Sequence, residues 1–496
     1  MNGNVLKVAD TLQSIVKNNS FFLLITQRLI NFIQNTFKIP NFSMINQDLE
    51  NYKKANTLEE VDNAVRFDVP VPADHEFFTD FSDVRGDFED RMIYKHLNVN
   101  PKTYIYNSKV NKSNKTLLFL AGMRGSGKTS ELAKITQKLN HKEAFFCVTC
   151  NIDELDLNDM EYMDILIFQI EKLVEQLDKL EKKRIILEPS VIASLQKWFT
   201  ERVEEANKMI KREGGLELEI QAGTPKLFSF LSLTSKVKAN LTGSKENAQK
   251  LRTVFKNNFS DFALKANEFI AYVNILLKNN DIANEILFVV DGLEKTTNKE
   301  IRKKIVVEES GRIRQIKVNT IFTLPIELMS EGRRLEAFST VSSFPFVKIR
   351  ERNGEVVEEA IQKFIEFTYK RIDKNLFDSE ETVREAILMG GGSPREYLRV
   401  LEYANIHADE EKIDGEALQK GIKKLAAQTA QYLKSEDIEL LKILKKNNED
   451  NKITLADDKW QDLIEKLIIL EYNDGTYKRV NPIVEQSEIY KQEIEN

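Results

Sequence analysis

The sequence predicts an α/β fold, a parallel sheet flanked by helices, and three observations predict it. The apolar run Leu117-Leu118-Phe119-Leu120-Ala121 leads straight into Gly122-Met123-Arg124-Gly125-Ser126-Gly127-Lys128-Thr129, a G-x-x-x-x-G-K-T pattern followed by an amphipathic stretch. A second apolar run, Ile286-Leu287-Phe288-Val289-Val290, ends in Asp291. Elsewhere, short apolar runs alternate with longer segments of helical period, as in a parallel sheet covered on both faces.

Composition bounds the reading. At 496 residues, 42% apolar and 30% charged, the chain is long enough for two to four domains. A formal net charge of −6 gives no global basic field, so bulk attraction to nucleic acid is not expected. No apolar run reaches the length of a membrane span, and the N-terminus lacks a signal-peptide pattern. The apolar patch Phe21-Phe22-Leu23-Leu24-Ile25 is interrupted by Gln27, Arg28 and Asn31 and reads as an amphipathic helix packed on the protein. Two cysteines fit a reducing, cytoplasmic setting. They form Cys147-Val148-Thr149-Cys150, but on a strand residues three apart face opposite sides. Zinc would also need two further ligands, so both read as core.

In chain order, residues 1–75 read as a helical N-terminal arm, broken by Pro40, Pro70 and Pro72. Residues 76–355 hold the sheet. There the spacing predicts a helix over Phe88 to Leu97, a loop over Asn98 to Lys115, and the glycine-loop strand. A helix from Gly127 to Leu139 and a second strand over Ala144 to Thr149 follow. The acidic segment Asp156 to Asp159 then precedes a helix through Ile165, Phe168, Ile170, Leu173 and Leu177. Residues 183–280 read as an insertion. It is mostly helical, with a small β element over Leu216-Glu217-Leu218-Glu219-Ile220 and Phe228 to Leu241, where apolar residues alternate. Helix resumes over Glu246 to Lys278. Further strands are expected at Ile286 to Asp291, Thr320 to Pro325 and Phe346 to Ile349. Residues 356–431 read as helical around Gly390-Gly391-Gly392-Ser393-Pro394. Residues 432–496 read as two helices, the turn Asn473-Asp474-Gly475 and a short strand.

The chemistry follows from residue types. Glycines let a loop curl so that its N–H groups face a phosphate chain, which implicates Gly122, Gly125, Ser126, Gly127 and Ser130 in nucleotide binding. Lys128 would reach the β- and γ-phosphates, the Thr129 hydroxyl would ligate Mg²⁺, and the helix that starts here points its positive end at the same site. Asp291 would hold Mg²⁺ beside Thr129. The next residue is Gly292, so Glu294 is the nearest carboxylate to act as general base. Thr323 would sense the γ-phosphate from the end of its strand. Pro394 suits the first turn of a helix, whereas Arg395 opposes the helix dipole; a bound phosphate would account for it, so Arg395 reads as a γ-phosphate sensor, a surface salt bridge being the other reading. Arg333, Arg334, Arg350 and Arg352 are candidates to complete the site of a neighbouring subunit, and the sequence does not choose among them.

The combination GMRGSGKT, FVVDGLEK, a strand ending TLP and GGSPREYLRVL resembles the P-loop ATPases of the AAA+/STAND group, prokaryotic members with an upstream Phe81-Ser82-Asp83-Val84-Arg85-Gly86 box. The resemblance spans about Phe77 to Val484. It implies a P-loop NTPase sheet followed by a helical lid and a small winged-helix-like domain, with ATP and Mg²⁺ as cofactors. In that picture the box lies near the adenine, which makes Arg85 a nucleotide-binding candidate. The resemblance also implies an ATP-driven switch acting on self-assembly, as a homo-oligomer, or on a partner effector; bacterial relatives often serve in anti-phage defence. Two alternatives stay open. One is a DNA-associated ATPase, a loader or transposition-type regulator; the other is a nucleotide-binding scaffold that does not hydrolyse, which Gly292 motivates. From Tyr432 to Asn496 there are ten Lys/Arg and fifteen Asp/Glu, a net of −5, so a protein contact is favoured over nucleic acid.

Overall fold

Five strands form one parallel sheet in the order β2-β3-β4-β1-β5: β1 (Leu117–Gly122), β2 (Phe145–Asn151), β3 (Glu285–Asp291), β4 (Asn319–Pro325) and β5 (Thr340–Phe344). The computed structural model describes residues 52–496 except 69, 87, 108–114, 182–186, 213–226, 297, 332–333, 336–339, 410, 451, 454–457, 476 and 496. Residues 51–496 cluster as one compact unit. The proposed arm up to residue 50 and the strand expected at Leu216 to Ile220 lie outside the described residues.

The period-2 alternation of each strand divides the core in two. Leu118, Leu120, Cys147, Leu287, Val289 and Ile321 face one side, with Leu132 and Ile135 of the helix after the glycine loop. Phe119, Val148, Cys150, Phe288, Val290 and Phe322 face the other, against the long helices. Cys147 and Cys150 are therefore buried on opposite faces and are free thiols. Burial pushes both thiols up, which keeps them protonated and unreactive.

Among the described residues the longer helices are α1 (Leu58–Ala64), α2 (Asp90–His96), α3 (Lys128–Leu139), α4 (Tyr162–Glu181), α5 (Pro189–Arg212), α6 (Leu227–Leu241), α7 (Lys245–Asn257) and α8 (Phe259–Asn279). Beyond the sheet come α9 (Glu358–Arg371), α10 (Glu380–Met389), α11 (Pro394–Ile406), α12 (Gly415–Ala430), α13 (Ser435–Glu449) and α14 (Asp458–Glu465). An antiparallel hairpin, β6 (Ile469–Tyr472) with β7 (Tyr477–Val480), follows. Among the described residues no helix is long and apolar enough to cross a membrane.

Three expectations are corrected. Residues 228–241 belong to helix α6, because Leu227, Phe230, Leu233, Thr234, Val237 and Leu241 are buried at helical spacing. Phe228, which a strand would bury beside Phe230, is 71% exposed. The edge strand is Thr340–Phe344 and not Phe346 to Ile349, since Pro345 lacks the N–H needed to continue the ladder. The helix expected over 246–278 is two helices that break at Asn258.

Helices α5 to α8 are held to the sheet by an aromatic core of Trp198, Phe199, Phe230, Phe255 and Phe262 that is continuous with the α4 face. A buried clasp ties α7 to the acidic segment: Arg252 donates from Nε to both Asp164 oxygens at 3.0 and 2.9 Å and from Nη1 to Asp159 at 2.9 Å. Residues 55–65, including α1, pack into the core formed by α9 to α12. The α14 and hairpin residues Trp460, Leu463, Ile469 and Leu470 are buried in the same cluster as the sheet's α4 face.

Candidate nucleotide site

The site is built at the C-terminal edge of the sheet, where β1, β3 and β4 end side by side. Because β4 lies between β1 and β3, Thr323 opposes Leu120 on one side and follows the Val290–Phe322 pair on the other. It therefore stands between the glycine loop and Asp291. Within the loop, Gly125 and Gly127 take φ of +82° and +95°, values that L side chains rarely adopt. Helix α3 starts at Lys128 with Gly127 as its N-cap and no side-chain cap, so its first N–H groups are left for an anion.

Five polar side chains meet there. Thr129 Oγ1 donates to Asp291 Oδ2 at 2.7 Å. Lys128 Nζ donates to the carbonyls of Gly122 and Met123, each at 2.9 Å, and lies 3.4 Å from Glu294 Oε1. Thr323 Oγ1 donates to Glu294 Oε2 at 3.0 Å and accepts from the Gly292 N–H at 2.9 Å. Gly292, at φ +105°, turns the chain so that Glu294, on the following 3₁₀ turn, comes back over the strand ends.

The electrostatics divide these two carboxylates. Burial and the nearby Glu294 charge push Asp291 up, against the Thr129 hydrogen bond and Lys128. Burial also opposes ionisation of Glu294, but Lys128, a backbone N–H and Thr323 outweigh it and hold that carboxyl below its ordinary range.

The donor set fits Mg²⁺. Asp291 Oδ1 is buried without a hydrogen-bond partner, and its other oxygen already takes the Thr129 hydroxyl that would share the ion. Among the described residues no group of three or more His, Cys, Asp or Glu could hold a metal alone. That suits an ion held by few side chains, phosphate and water. Ser126 Oγ is likewise buried and unpartnered in the loop. Ser130, half-buried, follows Thr129 on α3.

Two arginines reach the loop from other elements. Arg85, buried, donates from Nη1 to the Pro345 carbonyl at 2.8 Å and stacks over Phe344 at 4.0 Å. Its Nη2 would lie 3.2 Å from a Cβ placed on Gly127. Burial pushes its guanidinium down to about 10, partly offset by Glu131 and Asp80. The box that carries Arg85 is tied to α3 through Lys134, which donates to Ser82 Oγ at 2.6 Å and pairs with Glu131 at 2.6 Å and Asp80 at 3.2 Å. Arg395 enters from the start of α11, whose first residue is Pro394 and whose cap is the Ser393 hydroxyl. A Cβ on Gly125 would lie 2.9 Å from Arg395 Cβ and 3.1 Å from its Cδ, and Ser393 Oγ donates to the Gly125 carbonyl at 3.3 Å. Among the other candidate arginines, Arg334 pairs with Glu331, Arg350 donates to the Gly354 carbonyl and Arg352 stacks over Tyr477. Arg333 lies outside the described residues.

One group of residues at the site escaped sequence reasoning. Three consecutive residues of the terminal hairpin each touch a different loop bordering the site. Glu471 N–H donates to Met123 Sδ at 3.2 Å, and Tyr472 hydroxyl donates to the Gly391 carbonyl at 2.6 Å. Asn473 Oδ1 lies 2.0 Å from where a Gly86 Cβ would stand, so only glycine fits there.

Sheet, glycine loop and site together define a P-loop NTPase fold, the class of protein that binds nucleotide at such a loop. A model of the KAP family P-loop domain matches residues 94–318, from α2 to the threshold of β4. No curated protein sequence matches the chain. Among solved structures, a Walker-type ATPase of Pyrococcus abyssi is similar at 14% identity and a TM-score of 0.38, covering 84% of this chain and 98% of that one.

Proposed function

We propose that the chain is an ATP-driven switch. It binds ATP with Mg²⁺ at the loop, hydrolyses it, and passes the nucleotide state through a helical lid (α9 to α12) and a winged-helix-like unit to self-assembly or a partner effector. Lys128 and the α3 N-terminus hold the phosphates, Arg85 and Arg395 close on the loop, and Thr129 and Asp291 hold the metal. Bound Mg²⁺ would neutralise charge on the phosphate oxygens. Glu294, kept ionised beside Lys128, orients and deprotonates the attacking water, with Thr323 fixing its carboxylate. The carboxylate brought back by Gly292 favours hydrolysis over a locked scaffold.

The observation that carries the switch is the run Glu471-Tyr472-Asn473, which joins the glycine loop, the lid turn and the Arg85 box. The DNA-associated alternative is weakened at the hairpin, because Lys478 is buried, 3.1 Å from Glu471, and is not free to meet a phosphate backbone. An anti-phage role is the task we infer for such a switch from the resemblance, with the toxic output residing in another polypeptide.

The test is steady-state ATP hydrolysis by the full chain beside Lys128→Ala, with particle mass measured with and without nucleotide. Turnover lost in the variant, with an ATP-dependent change of mass, supports the assembling switch. ATP bound without turnover removes Glu294 as base. Absence of ATP binding overturns the reading.

A further inference from the structure

The helix that precedes the terminal hairpin reaches a part of the site that Glu471, Tyr472 and Asn473 do not. Glu465 is the last residue of α14, and its carboxylate meets a buried arginine. Arg302 Nη2 lies 2.7 Å from Glu465 Oε1 and 2.6 Å from Glu327 Oε1, so one nitrogen serves two carboxylates. Lys299 Nζ takes the other oxygen of Glu465 at 2.9 Å. Arg302 is 4% exposed, and its Nη1 donates to the Thr296 carbonyl.

Two anchors of this guanidinium lead back to Glu294. Thr296 closes the 3₁₀ turn Leu293–Lys295 that carries Glu294, its N–H donating to the Leu293 carbonyl at 3.3 Å. Glu327 stands two residues past Pro325, the end of β4, and that strand carries Thr323, which donates to Glu294. The third anchor, Glu465, comes from the terminal unit. Burial pushes Glu327 up against the pull of Arg302, and the Glu465 charge adds to the push, so the two carboxylates compete for one cation. With Glu465 neutralised, the guanidinium is drawn wholly to Glu327. Because a guanidinium is a rigid planar fork, that movement turns Nη1 away from the Thr296 carbonyl.

Resting on the hydrolytic reading above, we propose that Arg302 and Glu465 are positioning residues for Glu294: the terminal unit, through the end of α14, braces the turn that carries the base. Breaking this brace alone slackens the turn. It leaves the phosphate cradle as it is, since the glycine loop follows β1, on the far side of β4 from β3. Hydrolysis is thereby tied to the seating of α14, while nucleotide binding is not.

The experiment compares the full chain as wild type, Glu465→Gln, Glu294→Gln and the double variant. It reads single-turnover hydrolysis of Mg·ATP, ATP affinity by calorimetry, and hydrogen exchange of Leu293 to Thr296 without nucleotide. Glu465 is partly exposed and glutamine keeps its size, so the variant should fold, and a thermal melt checks this. Asp462→Asn, which breaks the pair with Lys466 beside it, is the control. Expected for Glu465→Gln is faster exchange in the turn, ATP affinity within twofold of wild type, and hydrolysis lowered about tenfold, as for a shift of a fraction of an ångström where about 1 Å costs about 100-fold. In the Glu294→Gln background the Glu465 change lowers hydrolysis no further, because both act on one group. Unchanged hydrolysis or unchanged exchange in Glu465→Gln overturns the brace. So does an additive loss in the double variant, an equal loss in Asp462→Asn, or a loss of ATP affinity in step with hydrolysis. Wild type that does not hydrolyse, or Glu294→Gln that hydrolyses like wild type, overturns the base assignment instead, and exchange in the turn then decides whether α14 braces it.

Discussion

Replacing Gly392 with alanine should disable the site without touching a residue that contacts nucleotide. Gly392 has φ +79°, and a Cβ there would stand 1.9 Å from the Val347 carbonyl oxygen. Real Cβ contacts are essentially never under 3.0 Å, so the turn must open by at least about 1.1 Å. Neither partner is a flexible side chain, and the Val347 N–H bond to the Gly392 carbonyl, 3.1 Å, is strained by the same shift. Left-handed backbone costs alanine about 1–2 kcal/mol, and the lost bond about 1 kcal/mol. The larger effect is positional. Ser393, already at 3.3 Å from the Gly125 carbonyl, separates, and Arg395 is lifted off the loop. A misplacement of about 1 Å can lower a rate about 100-fold. ATP turnover and affinity are the assay, with a thermal melt as the folding check. Gly354→Ala is the control: it carries the same kind of φ, +90°, with nothing within 4 Å of the added Cβ. If Gly392→Ala keeps turnover and ATP affinity within twofold of Gly354→Ala, the turn does not position Arg395, and that part of the reasoning fails.

Further outcomes follow from named contacts. Glu294→Gln should keep ATP affinity and lower single-turnover hydrolysis by about 10²–10⁴-fold; unchanged hydrolysis would assign the base elsewhere. Tyr472→Phe removes the donor to Gly391, a loss of about 1 kcal/mol, and should raise hydrogen exchange in the Gly390 to Ser393 turn and the hairpin together. Exchange rising in the hairpin alone would show that the two are not coupled. Burial opposes ionisation of Asp80, but Ser82 and Lys134 hold its carboxyl down at about 2, from an ordinary 3.8. A carboxyl depressed in the folded state stabilises above the unfolded value and loses that contribution as pH falls through the folded one. Stability should therefore drop between about pH 4 and 2, less steeply in Asp80→Asn; parallel acid-unfolding curves would contradict this.

The chemistry legible in the sequence was the chemistry encoded locally. The glycine loop, Lys128 and Thr129 are eight residues of one pattern, and Asp291 is marked by the apolar run it ends. Glu294 could be named as the nearest carboxylate, but its approach to Lys128 depends on the left-handed turn at Gly292. Strand and helix were confused where both periods were present. Phe228, Phe230 and Leu233 sit in a stretch with alternating character, and only the packing of α6 decided which of them is buried. The hairpin contacts were out of reach for a different reason. Met123 and Glu471 are 348 positions apart, and nothing in either segment marks the other as its partner. The Cys147–Cys150 reading depended only on strand geometry, and the two residues do lie on opposite faces of the sheet.

The placement of the helical insertion also bears on how the chain reaches this state. Strands β2 and β3 are hydrogen-bonded neighbours, yet 133 residues separate Asn151 from Glu285. Closing so long a loop before its pairing is rewarded is slow, whereas helical hairpins of neighbouring segments form quickly. Helices α5 to α8, with their shared aromatic core, can assemble first and shorten the effective distance between the two strands. On this view the insertion acts during folding as a spring clip. It brings Asp291 to its place beside Asn151, and the nucleotide site is completed late, as the strands on either side of β4 come into register.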